Sequence, residues 1–131
     1  MNKVKVKEPG YVIDFDGGYD RALAKTSVGE GWASLIDEIF DKLDSMEHPP
    51  AVIQVKEKYA GLRVYLDVYV EEVEQVIIEA EKKSFEMCET CGKPGKIRGS
   101  RWYYTSCDEH AKNGDLPHTH QFGDKDAEEE V

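Results

Sequence analysis

No apolar run in this chain approaches the ~20 residues that a membrane-spanning helix requires, so no membrane partner is expected. Positive charge is also short. The 131 residues carry 17 lysines and arginines against 27 aspartates and glutamates, a formal net charge of −10. Counterion release from a phosphate backbone needs a basic footprint, so general nucleic-acid binding is disfavoured. Cysteine is scarcer still, with three in all. An odd number leaves one thiol over from any disulfide scheme, and no secretory leader is evident. The cysteines therefore read as reduced and the protein as cytoplasmic. At this length the chain makes one domain, or one small domain with an appended module.

The few cysteines are not scattered. Cys88-Glu89-Thr90-Cys91 is followed by Cys107-Asp108-Glu109-His110, a C-x2-C-x15-C-x2-H spacing. Each pair can wrap one ion from a tight knuckle, and the loop between them is long enough to bring the pairs together. Three thiolates and one imidazole make a closed tetrahedral set, the make-up of a structural zinc site. A closed site has no open position for water or substrate. Zn2+ at Cys88, Cys91, Cys107 and His110 is thus expected to fold the segment and not to catalyse. Loss of a ligand should unfold that segment and expose Trp102.

Along the chain, residues 3–8 and 11–15 read as two short strands about Pro9-Gly10. Ser27-Val28-Gly29-Glu30 fits a capping box. It precedes an amphipathic helix with Trp32, Leu35, Ile36, Ile39, Phe40, Leu43 and Met46 on one stripe. A β-hairpin follows at 52–70. Ile53, Val55 and Tyr59 share one face with Leu62, Val64, Leu66, Val68 and Val70, about a turn at Ala60-Gly61. Helical spacing returns at 71–86 through Val73, Val76, Ile77 and Ala80. The expected class is α+β: an antiparallel sheet, two amphipathic helices and a C-terminal zinc-ribbon or treble-clef-like module. The divisions are an α+β domain at 1–87, the zinc-binding module at 88–110 and an acidic mobile tail at 111–131. In that tail, His118 and His120 read as solvated.

Two resemblances bear on function. Val12-Ile13-Asp14-Phe15-Asp16-Gly17 resembles the first motif of the haloacid-dehalogenase phosphatases. However, no second βα repeat follows, Gly18 stands where that family has Thr or Val, and no matching lysine and paired aspartates occur downstream. The broader resemblance is carried by Val55-Lys56-Glu57-Lys58-Tyr59-Ala60-Gly61-Leu62-Arg63-Val64-Tyr65, then Cys88-Glu89-Thr90-Cys91-Gly92-Lys93-Pro94-Gly95, then Trp102 and Thr105-Ser106-Cys107-Asp108-Glu109-His110. Over roughly residues 30–110 the chain resembles a family of small zinc proteins common in tailed-phage genomes. That resemblance implies a phage-type accessory protein in the host cytoplasm, acting on host machinery or defence. It brings no established activity with it.

Three functions compete. The first is binding or sequestering a small anionic ligand, such as a nucleotide-derived defence signal. The expected ligand residues are Lys56, Lys58, Arg63 and Tyr65 of the hairpin, with Arg98, Arg101 and Trp102 of the zinc loop. Guanidinium forks suit phosphate, and rings stack on bases. Lys93, Lys96, Tyr69, Tyr103 and Tyr104 interleave with them. The alternative is a protein–protein interaction module or inhibitor acting on a host protein through its acidic surface, the helices and the tail. Third is an enzyme, disfavoured by the closed metal site and the lack of an evident nucleophile–base pair. A homo-oligomer is left open.

Overall fold

The computed structural model describes residues 5–8, 11–14 and 18–117. The Asp16 turn, His118, His120 and the acidic run at 128–130 lie outside the described residues. Strands β1 (Lys5–Glu8) and β2 (Tyr11–Asp14) pair antiparallel. Helix α1 (Arg21–Thr26) and a 3-10 turn (Glu30–Trp32) lead into helix α2 (Ala33–Asp44). Strands β3 (Val52–Lys58) and β4 (Gly61–Leu66) precede helix α3 (Glu71–Ser84). Strands β5 (Lys96–Arg98) and β6 (Tyr104–Ser106) and a second 3-10 turn (Asp108–His110) follow. The fold is α+β, and its described strands form three two-stranded antiparallel sheets. Among the described residues, no helix is long and apolar enough to cross a membrane.

The periodic stripes become the core. Leu35, Ile36, Ile39, Phe40 and Leu43 of α2 pack with Val73, Ile77 and Ala80 of α3, over Val52, Val55, Leu62 and Val64 of the hairpin. Burying each large apolar side chain contributes about 1.5–3 kcal/mol. In α3, Glu71, Glu72 and Glu74 occupy the first turn and Lys82 and Lys83 the last, each suiting the helix dipole.

Four local expectations change. Helix α1 was not foreseen; Asp20 caps it, its Oδ1 accepting the Leu23 N–H at 2.8 Å. The capping box at 27–30 does not form. Ser27 instead closes α1 by donating to the Leu23 carbonyl at 2.8 Å. In β3 the pairing shifts between Val52 and Gln54, a bulge that leaves Val52 and Val55 buried and Ile53 half-buried. Strand β4 stops at Leu66, because the Asp67 N–H donates to the Ala51 carbonyl at 2.9 Å and Asp67 Oδ1 accepts the Ala51 N–H at 3.0 Å. Val68, expected in the core stripe, is therefore exposed.

The hairpin turn is also displaced by one residue. Its two loop residues are Tyr59 and Ala60, at φ 51° and 75°, and Tyr59 is exposed instead of sharing the core face. Left-handed backbone costs a side-chain-bearing residue roughly 1–2 kcal/mol. Gly61 begins β4, where an added Cβ would lie 2.6 Å from the Phe85 ring. The strained turn is held locally by Glu57 Oε2, which accepts the Ala60 N–H, and also from the other end of the chain. Thr105 Oγ1 donates to the Ala60 carbonyl at 2.8 Å in a buried contact.

Candidate metal centre and the groove beside it

The first knuckle is a tight loop: the Gly92 N–H donates to the Cys88 carbonyl at 2.8 Å, and the Cys88 N–H to the Lys93 carbonyl at 2.7 Å. The β5–β6 hairpin then carries the chain to the second knuckle, where the 3-10 turn presents His110. The ligand atoms of Cys88, Cys91, Cys107 and His110 all lie within 4.8 Å of one another, so these four residues could hold a metal ion. His110 Nδ1 is 3.2 Å from Cys107 Sγ and 3.6 Å from Cys88 Sγ, and the Cys91 and Cys107 sulfurs are 3.7 Å apart. Burial alone would push the Cys88 thiol up. The backbone amides of Cys107, Cys91 and Thr90 outweigh it and, with the Cys91 side chain, bring Cys88 down to about 6, favouring the thiolate a metal needs. For Cys91, the Lys93 amide pulls downward, but burial and the neighbouring Cys88 and Cys107 sulfurs prevail and raise it.

This centre is keyed into the helical layer. Glu89, between Cys88 and Cys91, takes the place of the missing capping box. Its Oε2 accepts the Gly29 N–H at 2.9 Å, and its carbonyl accepts the Gly31 N–H at 2.7 Å. Those are orphan donors at the start of a helix, and a partner there is worth about 1 kcal/mol. The Trp32 indole N–H donates to the Met87 carbonyl at 2.8 Å. Burial raises the Glu89 carboxyl above its ordinary value of 4.5, against the pull of the Gly29 amide, and the nearby Glu57 charge adds to the rise.

The seven expected ligand residues divide. Arg98 is 3% exposed, and its guanidinium faces inward. It donates to the Ser106 carbonyl at 3.1 Å, the Asp115 carbonyl at 2.9 Å and Asp108 Oδ1 at 2.8 Å. It ties β5 to the second knuckle and to residues 111–117, and it lies outside the groove lined by Lys58, Arg101 and Trp102. Arg63 is half-buried beside α3, with its Nε 3.4 Å from Glu81 Oε2. That contact is an ion pair without hydrogen-bond geometry. Lys56 stands opposite Arg63 in the hairpin, and its ammonium lies 5.9 Å from the centre of the Tyr65 ring.

Lys58, Arg101 and Trp102 do come together. They line a groove of about 440 Å³ between the hairpin turn and the β5–β6 turn. Glu57, Tyr59, Glu89, Tyr103, Tyr104 and Lys112 complete it. Trp102 is already 83% exposed, so its exposure cannot report unfolding. Tyr104 is fixed: its hydroxyl donates to Asp115 Oδ2 at 2.6 Å and accepts the Lys112 N–H at 2.8 Å. Burial first, and the Asp115 carboxylate second, raise its phenol above 10. The Lys112 ammonium sits 4.7 Å from the Tyr104 ring centre. Residues 111–117, expected to begin a mobile tail, are thus anchored by Arg98 and Tyr104. By sequence alone Lys112 belongs to that tail and Tyr59 to the core face. Lys112 follows the metal motif closely, and this is the only local signal that could have recruited it.

The acidic helical face is less free than composition suggests. Arg21 Nη1 and Nη2 lie 2.8, 3.1 and 2.7 Å from Asp37, Asp41 and Asp44 respectively, and Lys25 Nζ is 2.8 Å from Asp37. The hydrogen bond from Lys25, followed by that from Arg21, holds the Asp37 carboxyl below its ordinary 3.8. Comparison with family models, curated proteins and solved structures gives no match, so the groove and the metal cluster are read from their own geometry.

Proposed function

We propose that this chain is a non-enzymatic binding protein in which a structural zinc ion fixes a groove for a small anionic ligand bearing a planar ring. One observation carries the reading. Three cations, Lys58, Arg101 and Lys112, and the rings of Tyr59, Trp102 and Tyr104 converge on one groove from three separate stretches of chain. Cations suit phosphate and exposed rings suit a base, a pairing that favours nucleotide-derived ligands. In the setting implied by the phage resemblance, the ligand would be a host-defence signal. The acidic alternative, docking to a host protein, is weakened by the Arg21 clamp on three α2 carboxylates.

Zinc is the ion that the donor set favours. Zn–S bonds of ~2.3 Å at tetrahedral angles place sulfurs ~3.8 Å apart, and the Cys91–Cys107 separation is 3.7 Å. Bound there, zinc would supply a cross-link between the two knuckles. Glu89 would then hold the start of α2, and the β5–β6 hairpin would hold Arg101 and Trp102 over the groove.

The test is calorimetry of the full chain against a nucleotide panel at low and high salt, with zinc per chain measured on the same sample. One zinc per chain and one nucleotide class binding more tightly at low salt are expected. A charge-assisted contact of about 1.5–3 kcal/mol makes Arg101→Ala cost about tenfold or more in affinity. Arg63→Ala, whose charge faces Glu81, is the control. No binding by any nucleotide at either salt refutes the ligand reading, and a folded protein without zinc refutes the metal assignment.

A further inference from the structure

Two groove residues do not fit an anion. Glu57 and Glu89 place carboxylates among Lys58, Arg101 and Lys112. Among the described residues neither is in an ion pair with those cations. Each is instead pinned by one oxygen to backbone: Glu57 Oε2 accepts the Ala60 N–H at 2.8 Å, and Glu89 Oε2 the Gly29 N–H at 2.9 Å. Each therefore keeps its other oxygen for a further donor. Resting on the nucleotide reading above, we propose that this pair makes the groove selective for guanine.

The argument is one of matching donors to acceptors. A carboxylate only accepts, so whatever stands against Glu57 and Glu89 must bring N–H groups. A phosphate brings none and belongs with the cations. Among the bases, guanine alone offers two adjacent donors on its pairing edge, the ring N1–H and the exocyclic amino group. Adenine and cytosine each set a single amino group beside a ring-nitrogen acceptor, which a carboxylate repels. Uracil flanks its one N–H with two carbonyls. Stacking on Tyr59 or Trp102 tolerates any base and adds no preference. Selection falls to the carboxylates, because a half-buried acceptor left without a donor penalises the wrong base.

The experiment is calorimetry of the metal-loaded full chain with GMP, IMP, AMP and CMP. IMP keeps the ring N–H but lacks the amino group. We expect GMP to bind about tenfold or more above AMP and CMP, with IMP between, since each lost hydrogen bond to a charged group is worth a decade or so. Glu57→Gln keeps an amide oxygen for Ala60 but replaces the free acceptor with an amide N–H donor and removes the charge. It should erase the preference, lowering GMP affinity by about tenfold and relieving the repulsion of adenine's ring nitrogen. Glu89→Gln is the second variant, with the same expectation. Equal affinities for GMP, AMP and CMP in the wild type, or an unchanged GMP preference in both variants, overturn guanine selection and leave the nucleotide groove standing. Failure of every nucleotide to bind overturns both.

Discussion

Gly31→Ala tests whether the metal knuckle and α2 are one structural unit. On an isolated helix the change should help, since alanine is favoured over glycine by about 1 kcal/mol. Here an added Cβ would overlap the Cys88 carbonyl oxygen and lie 2.5 Å from Gly92 N and 2.7 Å from the Glu89 carbonyl carbon. All three are backbone atoms of the knuckle, so no side chain can swing aside. Overpacking of this kind costs about 1–3 kcal/mol. Separating the elements also strains the 2.7 Å hydrogen bond from Gly31 N–H to the Glu89 carbonyl, worth about 1 kcal/mol. Against the ~1 kcal/mol gained in propensity, the net is a loss of about 1–3 kcal/mol. Urea unfolding of metal-loaded protein, followed by Trp32 emission, reads this directly. Trp32 is fully buried, whereas Trp102 gives an exposed background. At a slope of ~1–3 kcal/mol per molar, the midpoint should fall by about 1 M. A variant as stable as the wild type, or more so, would refute the keyed-knuckle argument.

Two further perturbations probe the groove's supports. Thr105→Val keeps the shape but leaves the buried Ala60 carbonyl without its 2.8 Å donor. We expect a loss of about 1–3 kcal/mol and faster amide exchange in the Tyr59–Ala60 turn; an unchanged melting temperature would show that the turn holds itself. Tyr104→Phe carries a pH signature. The folded phenol is raised above its ordinary value of 10, so its stabilising contribution is full below that value and is lost as pH rises through the folded one. The melting-temperature gap between wild type and variant should therefore be widest at neutral pH and shrink above 10, and a gap that grows with alkali would reverse the reasoning.

The sequence determined whatever depends on spacing within one segment. C-x2-C and C-x2-H fix which atoms can reach a common ion, because a knuckle is a local turn. The stripes from Leu35 to Leu43 and from Val73 to Ala80 fix two helices, since helical period is a property of neighbours. The 52–66 alternation fixes the hairpin in the same way, apart from the bulge at Ile53. Helix α1 was missed because only Ala24 in it is buried, leaving almost no stripe to detect. Tertiary structure decided which charge meets which. Arg98 and Arg101 are three residues apart and look alike in sequence. The return of residues 111–117 over β5 buries one against Ser106, Asp108 and Asp115, while the turn lifts the other over the groove. Arg63 is drawn to Glu81 by the packing of α3, and Glu89 finds the start of α2 across 60 residues of chain. An ionic side chain takes the partner that folding brings near, and that choice is made by long-range packing, which no local period records.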